Sequence, residues 1–238
     1  MKSMNKILTL GPQGTFSDAA TSKYTDTLGG SWQVVYFPSI GSALKAIGKT
    51  CEIGVLPIEN FSEGFIPLVL DQLVSAELRI IGEIMLPVHF CLVSMTNELS
   101  KINQLFVQFV AKGQCSEFIE SLGKIEIVTT ESNIESLDLA RNTADKSAAI
   151  VPLGSFRPND FPLVVENIND FKKNQTRFLA LSNNTRASEQ IGGEEYKTSI
   201  VVLDDKDRPG LLSEILNSFS KRTINLVLPQ SELEYQPC

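Results

Sequence analysis

The sequence predicts an α/β protein with two lobes, followed by a short βαβ segment. Short apolar runs alternate with segments of helical period, which favours parallel strands joined by crossover helices. The pattern starts again after a long apolar run at 84–93, and this restart predicts a second lobe. A polar, glycine-containing stretch at 183–197 then separates the last part of the chain, as a linker would.

The first predicted lobe consists of three strands, each followed by a helix. The predicted strands, which are short apolar runs that end at turn residues, cover 7–10, 33–37 and 53–56. The predicted helices, where apolar residues recur at helical spacing, begin near Ser17, after the N-cap Ser39 and near Phe65. The third strand is expected to enter a loop at 57–64. The run at 84–93 is expected to form one long strand that holds His89 in a structural role.

The second predicted lobe repeats this alternation. Its strands cover 105–109, 125–128, 148–151 and 163–168, and its helices cover 115–122 and 134–141. A further apolar strand begins at Thr176. Because strands cross between the lobes, lobe one takes 5–85 and 165–182, and lobe two takes 86–164. A ligand is expected in the cleft between them, facing strand carboxyl ends and helix N-termini.

The last part of the chain predicts one βαβ unit. It has a strand at 198–203, an apolar helical stripe from Leu211 to Phe219 and a second strand at 224–228. Pro209 stands where a first helical residue is expected. A unit of about 40 residues is marginal as an independent domain.

Composition excludes several classes of protein. Hydrophobic residues make up 42% and charged residues 21%, which is typical of a globular protein and excludes a disordered chain. With 21 basic and 28 acidic residues, the net charge of −7 argues against non-specific nucleic-acid binding. The only histidine is His89, so a histidine-rich zinc or iron site is excluded.

The chain is expected to be soluble and cytoplasmic. No apolar stretch approaches the length of a membrane span, and the first residues have too short an apolar run for a signal peptide. The cysteines, none of which forms a CxxC pair, are Cys51, Cys91, Cys115 and Cys238. This usage predicts reduced, mostly buried thiols.

Three polar segments adjoin apolar strands and are candidates for the functional site. In the first, GPQGTFSDAA at 11–20, Thr15 and Ser17 stand at a helix start, where free N–H groups attract anions. A plain capped turn is the alternative. In the second, PIENFSEG at 57–64, Glu59 and Asn60 either line a cleft or form a turn.

The third segment is NDFKKNQTRF at 169–178. An arginine at position 177 can hold a carboxylate with two hydrogen bonds. The hydroxyl of Thr176 can donate a proton or a hydrogen bond to a leaving group. The alternative is an ordinary strand start at the surface.

Together the three segments resemble the prephenate dehydratase family. That family carries GPxGTxS, then PIENSxxG, then N-x-TRF, and here these read GPQGTFS, PIENFSEG and NQTRF. The pieces GEIMLPVHFCLV and GQCSEFI also resemble the family, so the resemblance covers residue 5 to about 182. The segment DRPGLLSEILNSFSKRTINL at 207–226 resembles the start of an ACT domain, the regulatory module that usually follows.

The resemblance implies a fold and a reaction. It implies a catalytic domain at 1–182 with two lobes like a periplasmic binding protein, a linker at 183–197 and a truncated ACT-like segment at 198–238. The implied enzyme is a carbon–oxygen lyase of L-phenylalanine biosynthesis, which converts prephenate to phenylpyruvate with loss of water and CO2. No metal or organic cofactor is implied. The implied small-molecule partners are the substrate, prephenate, and phenylalanine as a weak effector. The chain is expected to form a homodimer and to bind neither nucleic acid nor a membrane.

The resemblance also assigns residue roles. Thr176 is the catalytic residue, as a general acid or as a hydrogen-bond donor to the leaving group, and the donor role is easier to defend because a threonine hydroxyl is a poor acid. The substrate-binding residues implied by position are Thr15, Ser17, Glu59, Asn60, Arg177 and Ser132. The implied regulatory residues are Pro209, Gly210 and Leu211.

The chain departs from the family pattern at several positions. Phe61 replaces the serine that the family has at this position. The next residue, Ser62, could partly take the place of that serine if the loop shifts by one residue. In the second lobe the departures, which remove a hydroxyl or imidazole donor or another polar group, are Val107, Gln108, Val110 and Asn133. A lost donor to an anionic site costs about 1–3 kcal/mol when its partner stays unpaired.

These departures leave alternatives open. Arogenate dehydration differs only by an amino group in place of a ketone. A catalytically impaired, two-lobed binding protein for an aromatic or carboxylate metabolite is favoured by Phe61, Val107 and Gln108. A decarboxylase-like relative that does not aromatise the ring is disfavoured, because Thr176 is retained.

Overall fold

The structure is a computed structural model that describes residues 5–75, 77–143, 146–157, 159–184, 200, 202 and 208–226. The chain divides into two compact units, 1–191 and 192–238. The strands are β1 Asn5–Leu10, β2 Trp32–Phe37, β3 Ile53–Asn60, β4 Gly64–Phe65, β5 Arg79–Pro87, β6 Phe90–Ser94, β7 Gln104–Gln108, β8 Glu126–Thr130, β9 Ser147–Pro152, β10 Leu163–Glu166 and β11 Gln175–Ser182. The helices are α1 Phe16–Leu28, α2 Ile40–Ala46, α3 Pro67–Ser75, α4 Phe109–Gln114, α5 Ser116–Ser121, α6 Asn133–Asn142 and α7 Leu211–Ser220.

The first lobe is built on a six-stranded sheet with the order β2-β1-β3-β11-β5 and with β4 paired to β3. Strand β1 runs parallel to β2 and β3, as the alternating pattern predicts, whereas β11 is antiparallel to β3 and β5. Helix α1 packs on one face, where Ala20 and Tyr24 join a core with Phe178. Helices α2 and α3 pack on the other face, where Leu44 joins a core with Leu179.

The second lobe has a five-stranded sheet with the order β10-β6-β9-β7-β8. Strand β7 is parallel to β8 and β9, and β6 is antiparallel to β9 and β10. The predicted two-lobed α/β class is therefore confirmed. Because β10 pairs with β6, residues 165 and 166 belong to the second sheet, and their sequence-based assignment to lobe one is wrong.

The predicted long strand at 84–93 is two strands in different sheets. Strand β5 ends at Pro87 and β6 begins at Phe90, so His89 lies between strands and not within one. The side chain of Asn169 holds this crossing, because its Oδ1 accepts from the Phe90 N–H at 2.7 Å and its Nδ2 donates to the Val88 carbonyl at 3.0 Å. An edge-to-face contact joins the lobes beside it, with the rings of Phe16 and Phe90 5.7 Å apart.

Two other element boundaries differ from the sequence-based expectation. Phe109, predicted as the end of a strand, is the first residue of α4. Strand β3 extends four residues beyond its predicted end, to Asn60. The Glu59–Arg177 and Asn60–Thr176 pairs with β11 account for this extension, since they give the polar residues a hydrogen-bonded partner strand.

The second unit is described mainly through α7. The helix begins at Leu211, and Gly210 precedes it with a φ of 88°, so Pro209 lies before the helix and is not its first residue. The predicted strand at 198–203 lies almost wholly outside the described residues. Of the strand predicted at 224–228, residues 224–226 have no regular secondary structure and the rest lie outside the described residues.

The described residues contain neither a helix that could span a membrane nor a cluster of metal-ligating side chains. Among them, none of the helices combines the length and the apolar character that crossing a bilayer requires. Nor does any group of three or more histidine, cysteine, aspartate or glutamate side chains in those residues have an arrangement that could hold a metal ion.

Candidate active site

The hydroxyl of Thr176 is bonded to the side chain of Asn60. The two residues are directly opposite each other in the antiparallel pair of β11 and β3, and Asn60 Nδ2 donates to Thr176 Oγ1 at 2.8 Å. Thr176 is 8% exposed. The sequence placed Asn60 in a loop; the structure places it at the end of a strand, and this is why it reaches Thr176.

The orientation of the Asn60 amide is fixed by its neighbours. Its Oδ1 accepts from the Ser62 N–H at 3.0 Å, the Ser62 hydroxyl at 2.8 Å and the Glu63 N–H at 3.2 Å. Backbone N–H groups can only donate, so the atom that faces them must be oxygen. The amide nitrogen therefore faces Thr176, whose oxygen acts as the acceptor and whose hydrogen has no acceptor within the described part of the chain.

Arg177 and Glu59 lie on the opposite face of the sheet from Thr176. Successive side chains of a strand point to opposite faces. Thr176 therefore shares the face of Phe178, against α1, whereas Arg177 shares the face of Leu179, against α2 and α3. Arg177, which was predicted to hold a carboxylate near Thr176, therefore lies across the sheet from it.

Arg177 is held between two carboxylates. Its Nη1 lies 3.7 Å from Glu59 Oε2, and its Nε lies 2.9 Å from Glu83 Oε1. Arg177 is 9% exposed and Glu59 only 2% exposed. Burial raises the pKa of the Glu59 carboxyl above its ordinary value, and the charge of Arg177 opposes this increase. The guanidinium is thus buried and lies close to both carboxylates.

The N-terminus of α1 shares the face and the sheet edge of Thr176. Helix α1 starts after the carboxyl end of β1, which is parallel to β3, whose carboxyl end carries Asn60. Of the two predicted substrate-binding residues here, Thr15 is already engaged: it donates to the Pro12 carbonyl at 3.0 Å and accepts from the Asp18 N–H at 3.3 Å. Ser17 is half-buried, and its hydroxyl makes no hydrogen bond within the described chain.

In the second lobe, two of the predicted positions act as helix caps. Ser132 Oγ accepts from the Glu135 N–H at 3.1 Å at the start of α6, beside Asn133, the first residue of that helix. Gln108 Oε1 accepts from the N–H groups of Val110 and Ala111 at 2.9 and 3.2 Å at the start of α4. Its Nε2 makes no hydrogen bond within the described residues and is a donor that the sequence does not predict.

The other departures differ in their surroundings. Val107 is fully buried in the core of the second lobe, so it contributes no surface to a ligand site. Val110 on α4 is 44% exposed. Phe61 is half-buried, and its N–H donates to the Gln175 carbonyl at 2.9 Å, which continues the β3–β11 pairing into the turn.

A hydrogen-bonded bridge joins the two lobes beside the site. Gln114 Nε2 on α4 donates to Glu63 Oε1 at 3.3 Å, and Gln114 Oε1 accepts from Asn174 Nδ2 at 2.9 Å. Glu63 and Asn174 stand in the second and third sequence motifs, but the sequence analysis assigned them no role. Polar residues inside otherwise recognised motifs were the signal that could have found them.

Two cavities are lined by other residues. One, with a volume of about 730 Å³, lies on the second lobe and is lined by Met95, Arg141, Gly154, Ser155, Phe156, Arg157 and Asp160. Its Arg141 pairs with Asp160 and stacks 5.4 Å from the ring centroid of Phe161. The other, about 500 Å³, is lined by Arg208, Gly210, Leu211, Leu212, Ser213 and Ile215, and so includes two of the predicted regulatory residues.

Comparisons with known proteins agree on one family. The prephenate dehydratase family model matches residues 7–186. The prephenate dehydratase of Methanocaldococcus jannaschii is 32% identical over 232 residues, which cover 96% of this chain and 83% of that protein.

Two solved structures carry the same fold. The prephenate dehydratase of Staphylococcus aureus has a TM-score of 0.70 and 29% identity, and the match covers 94% of this chain and 82% of that one. The Arthrobacter aurescens prephenate dehydratase in complex with L-Phe has a TM-score of 0.71 and 27% identity, with 94% of this chain and 75% of that one covered. Because the family model matches residues 7–186, which are most of the chain, the chain belongs to the prephenate dehydratase family.

Proposed function

We propose that the protein converts prephenate to phenylpyruvate and that the hydroxyl of Thr176 assists the departure of the substrate's ring hydroxyl. The observation that carries this proposal is the bond from Asn60 to Thr176. It makes the threonine oxygen an acceptor and leaves its hydrogen free to be donated to a ligand. The membership of the chain in the family supplies the substrate class.

The reaction is a paired elimination. The bond between the ring and its carboxylate breaks, its electron pair enters the ring, and the ring double bonds shift. The bond to the ring hydroxyl then breaks, and the oxygen leaves with its electron pair. The dianionic substrate plus one proton gives the phenylpyruvate anion, CO2 and water.

Thr176 acts best in this scheme as a hydrogen-bond donor. An aliphatic hydroxyl is a poor acid, but a donor placed at the leaving oxygen stabilises the negative charge that develops there. The proton that completes the water molecule then comes from solvent. Because the product ring is aromatic, the protein has mainly to assist the leaving group and to hold the substrate in position.

Donors on both lobes are available for the substrate carboxylates. The first turn of α1 has N–H groups without intrahelical partners and the free hydroxyl of Ser17. The second lobe offers the Gln108 amide nitrogen, which supports the view that the loss of an imidazole at this position is partly compensated. Arg177 and Glu59 support the site from behind the sheet, by holding β11, β3 and β5 together.

The test is product formation with matched variants. Purified protein is mixed with prephenate at neutral pH, and phenylpyruvate is followed over time against a protein-free blank. Thr176→Val is expected to lower kcat by at least about 100-fold, since the donor to the developing charge is lost. Thr176→Ser is expected to keep most of the activity. Thr25→Ala, which removes a half-buried threonine of α1 whose hydroxyl donates to the Ser22 carbonyl, is the control and is expected to leave kcat unchanged.

Each outcome of this test has a meaning. Turnover that depends on the hydroxyl at 176 supports the proposal. A folded wild-type protein without turnover of prephenate contradicts it, and arogenate is then the next substrate to assay. Turnover that survives Thr176→Val assigns the donor role to another group.

We further propose that phenylalanine binds the second unit only weakly, near Pro209, Gly210 and Leu211. The relative from Arthrobacter aurescens was solved with L-Phe, and the cavity of about 500 Å³ here includes Gly210 and Leu211. No described residue of α7 is buried, and Leu212 is 69% exposed, so a ligand ring placed on this helix alone would be poorly enclosed. Titration calorimetry with phenylalanine tests this, and tight, saturable binding would contradict it.

A further inference from the structure

The turn between β3 and β4 is organised around one side-chain oxygen. Asn60 Oδ1 accepts three hydrogen bonds from the turn, two from backbone N–H groups and one from the Ser62 hydroxyl, which at 2.8 Å is the shortest of the three. Of these donors, only the hydroxyl depends on the identity of a side chain. Ser62 itself is exposed to solvent.

We propose that Ser62 is a positioning residue for the dehydration reaction, acting through Asn60 on the hydroxyl of Thr176; this inference rests on the function proposed above. The three bonds at Oδ1 keep the amide from rotating about its last side-chain torsion. With the amide fixed, its nitrogen donates to Thr176 Oγ1 at 2.8 Å, and the threonine hydrogen is directed away from Asn60. When the amide rotates, its oxygen reaches Thr176 and accepts that hydrogen instead.

The surroundings of the turn make this role separable from folding. The far side of the turn is held independently, because Glu63 Oε1 accepts from Gln114 on α4 and Ile66 N–H donates to the Ile58 carbonyl at 2.9 Å. An exposed serine in a turn leaves no cavity when its hydroxyl is removed. Loss of Ser62 Oγ is therefore expected to loosen the Asn60 amide without displacing β3.

The first experiment compares Ser62→Ala and Ser62→Thr with the wild type in the phenylpyruvate assay. Ser62→Ala is expected to lower kcat about 3- to 10-fold, the range expected from one hydrogen bond, with KM changed less than about twofold. Ser62→Thr keeps a hydroxyl and is expected to restore kcat. Ser121→Ala is the matched control, because it too removes an exposed serine hydroxyl with a local hydrogen bond, at 2.6 Å to the Phe118 carbonyl, and it should leave kcat unchanged.

The second experiment measures hydrogen exchange of the Asn60 side-chain amide by nuclear magnetic resonance, which needs no substrate. Faster exchange in Ser62→Ala than in the wild type and in Ser62→Thr supports the proposal. Unchanged exchange overturns it, as does an unchanged kcat in Ser62→Ala when the wild type is active. If the wild type does not turn over prephenate, the proposed function fails and the exchange measurement alone decides the role of Ser62.

Discussion

Asn60 and Thr176 are 116 residues apart in the chain, yet the amide of one donates to the hydroxyl of the other at 2.8 Å. The contact exists because β11 returns from the second lobe and pairs with β3 in the register that sets these two residues opposite each other. Each partner constrains the other. The turn fixes the Asn60 amide, and the amide fixes the direction in which Thr176 can donate.

Asn60→Asp should therefore inactivate the protein without unfolding it. The carboxylate still accepts from Ser62 and Glu63, so the turn is retained, but it accepts the Thr176 hydrogen instead of donating to its oxygen. We expect kcat to fall about 100-fold and the free energy of unfolding to change by less than about 1 kcal/mol. Steady-state kinetics and urea denaturation measure the two quantities. An unchanged kcat would show that the direction of the Thr176 hydrogen does not matter.

The sequence singles out Thr176 and Asn60 but does not predict that their side chains meet. Asn60 is predicted to lie in a loop because the apolar run of the third strand ends at Leu56. In the structure this stretch is a strand, since β11 supplies a partner that no local pattern reveals. The separation of Arg177 from Thr176 could have been predicted, because adjacent strand residues point to opposite faces.

The break at Val88 and His89 has one local signal, Pro87, which lacks the backbone N–H that a strand interior uses. Hydrophobic periodicity alone misses it. Residues on both sides are apolar, so periodicity shows one continuous strand. The chain changes sheets there because Asn169, some 80 residues later, binds the carbonyl of Val88 and the N–H of Phe90 in place of a neighbouring strand.

Asn169→Ala should be strongly destabilising. Both of its hydrogen bonds are buried, and the substitution leaves the Val88 carbonyl and the Phe90 N–H unpaired inside the protein. An unpaired buried group costs about 1–3 kcal/mol, so we expect the free energy of unfolding to fall by about 2–4 kcal/mol. Urea denaturation followed by circular dichroism measures it. Asn142→Ala, which removes an exposed bond to the Asp138 carbonyl, is the control, and an equal loss in both variants would contradict the prediction.

Three of the four cysteines should be unreactive in the folded protein. Cys51, Cys91 and Cys115 are buried free thiols, as predicted, and Cys238 lies outside the described residues. Burial raises the pKa of Cys91 and of Cys115 to about 12, so at pH 8 the thiolate fraction of each is about 10⁻⁴. We expect iodoacetamide to modify these residues in urea but not under native conditions, as mass spectrometry of peptides would show. Rapid native labelling at Cys91 or Cys115 would contradict the described core.

Glu59→Gln should gain stability relative to the wild type as the pH rises. Burial, opposed by Arg177, raises the Glu59 pKa above its ordinary 4.5, so between the two values the folded protein binds more protons than the unfolded chain. Wild-type stability therefore falls with pH in that window. The glutamine variant lacks this contribution, so its free energy of unfolding minus that of the wild type should increase as the pH rises through that window. Urea denaturation from pH 4 to pH 8 measures the difference. A difference that stays constant or decreases would mean that Arg177 compensates fully for the burial of Glu59.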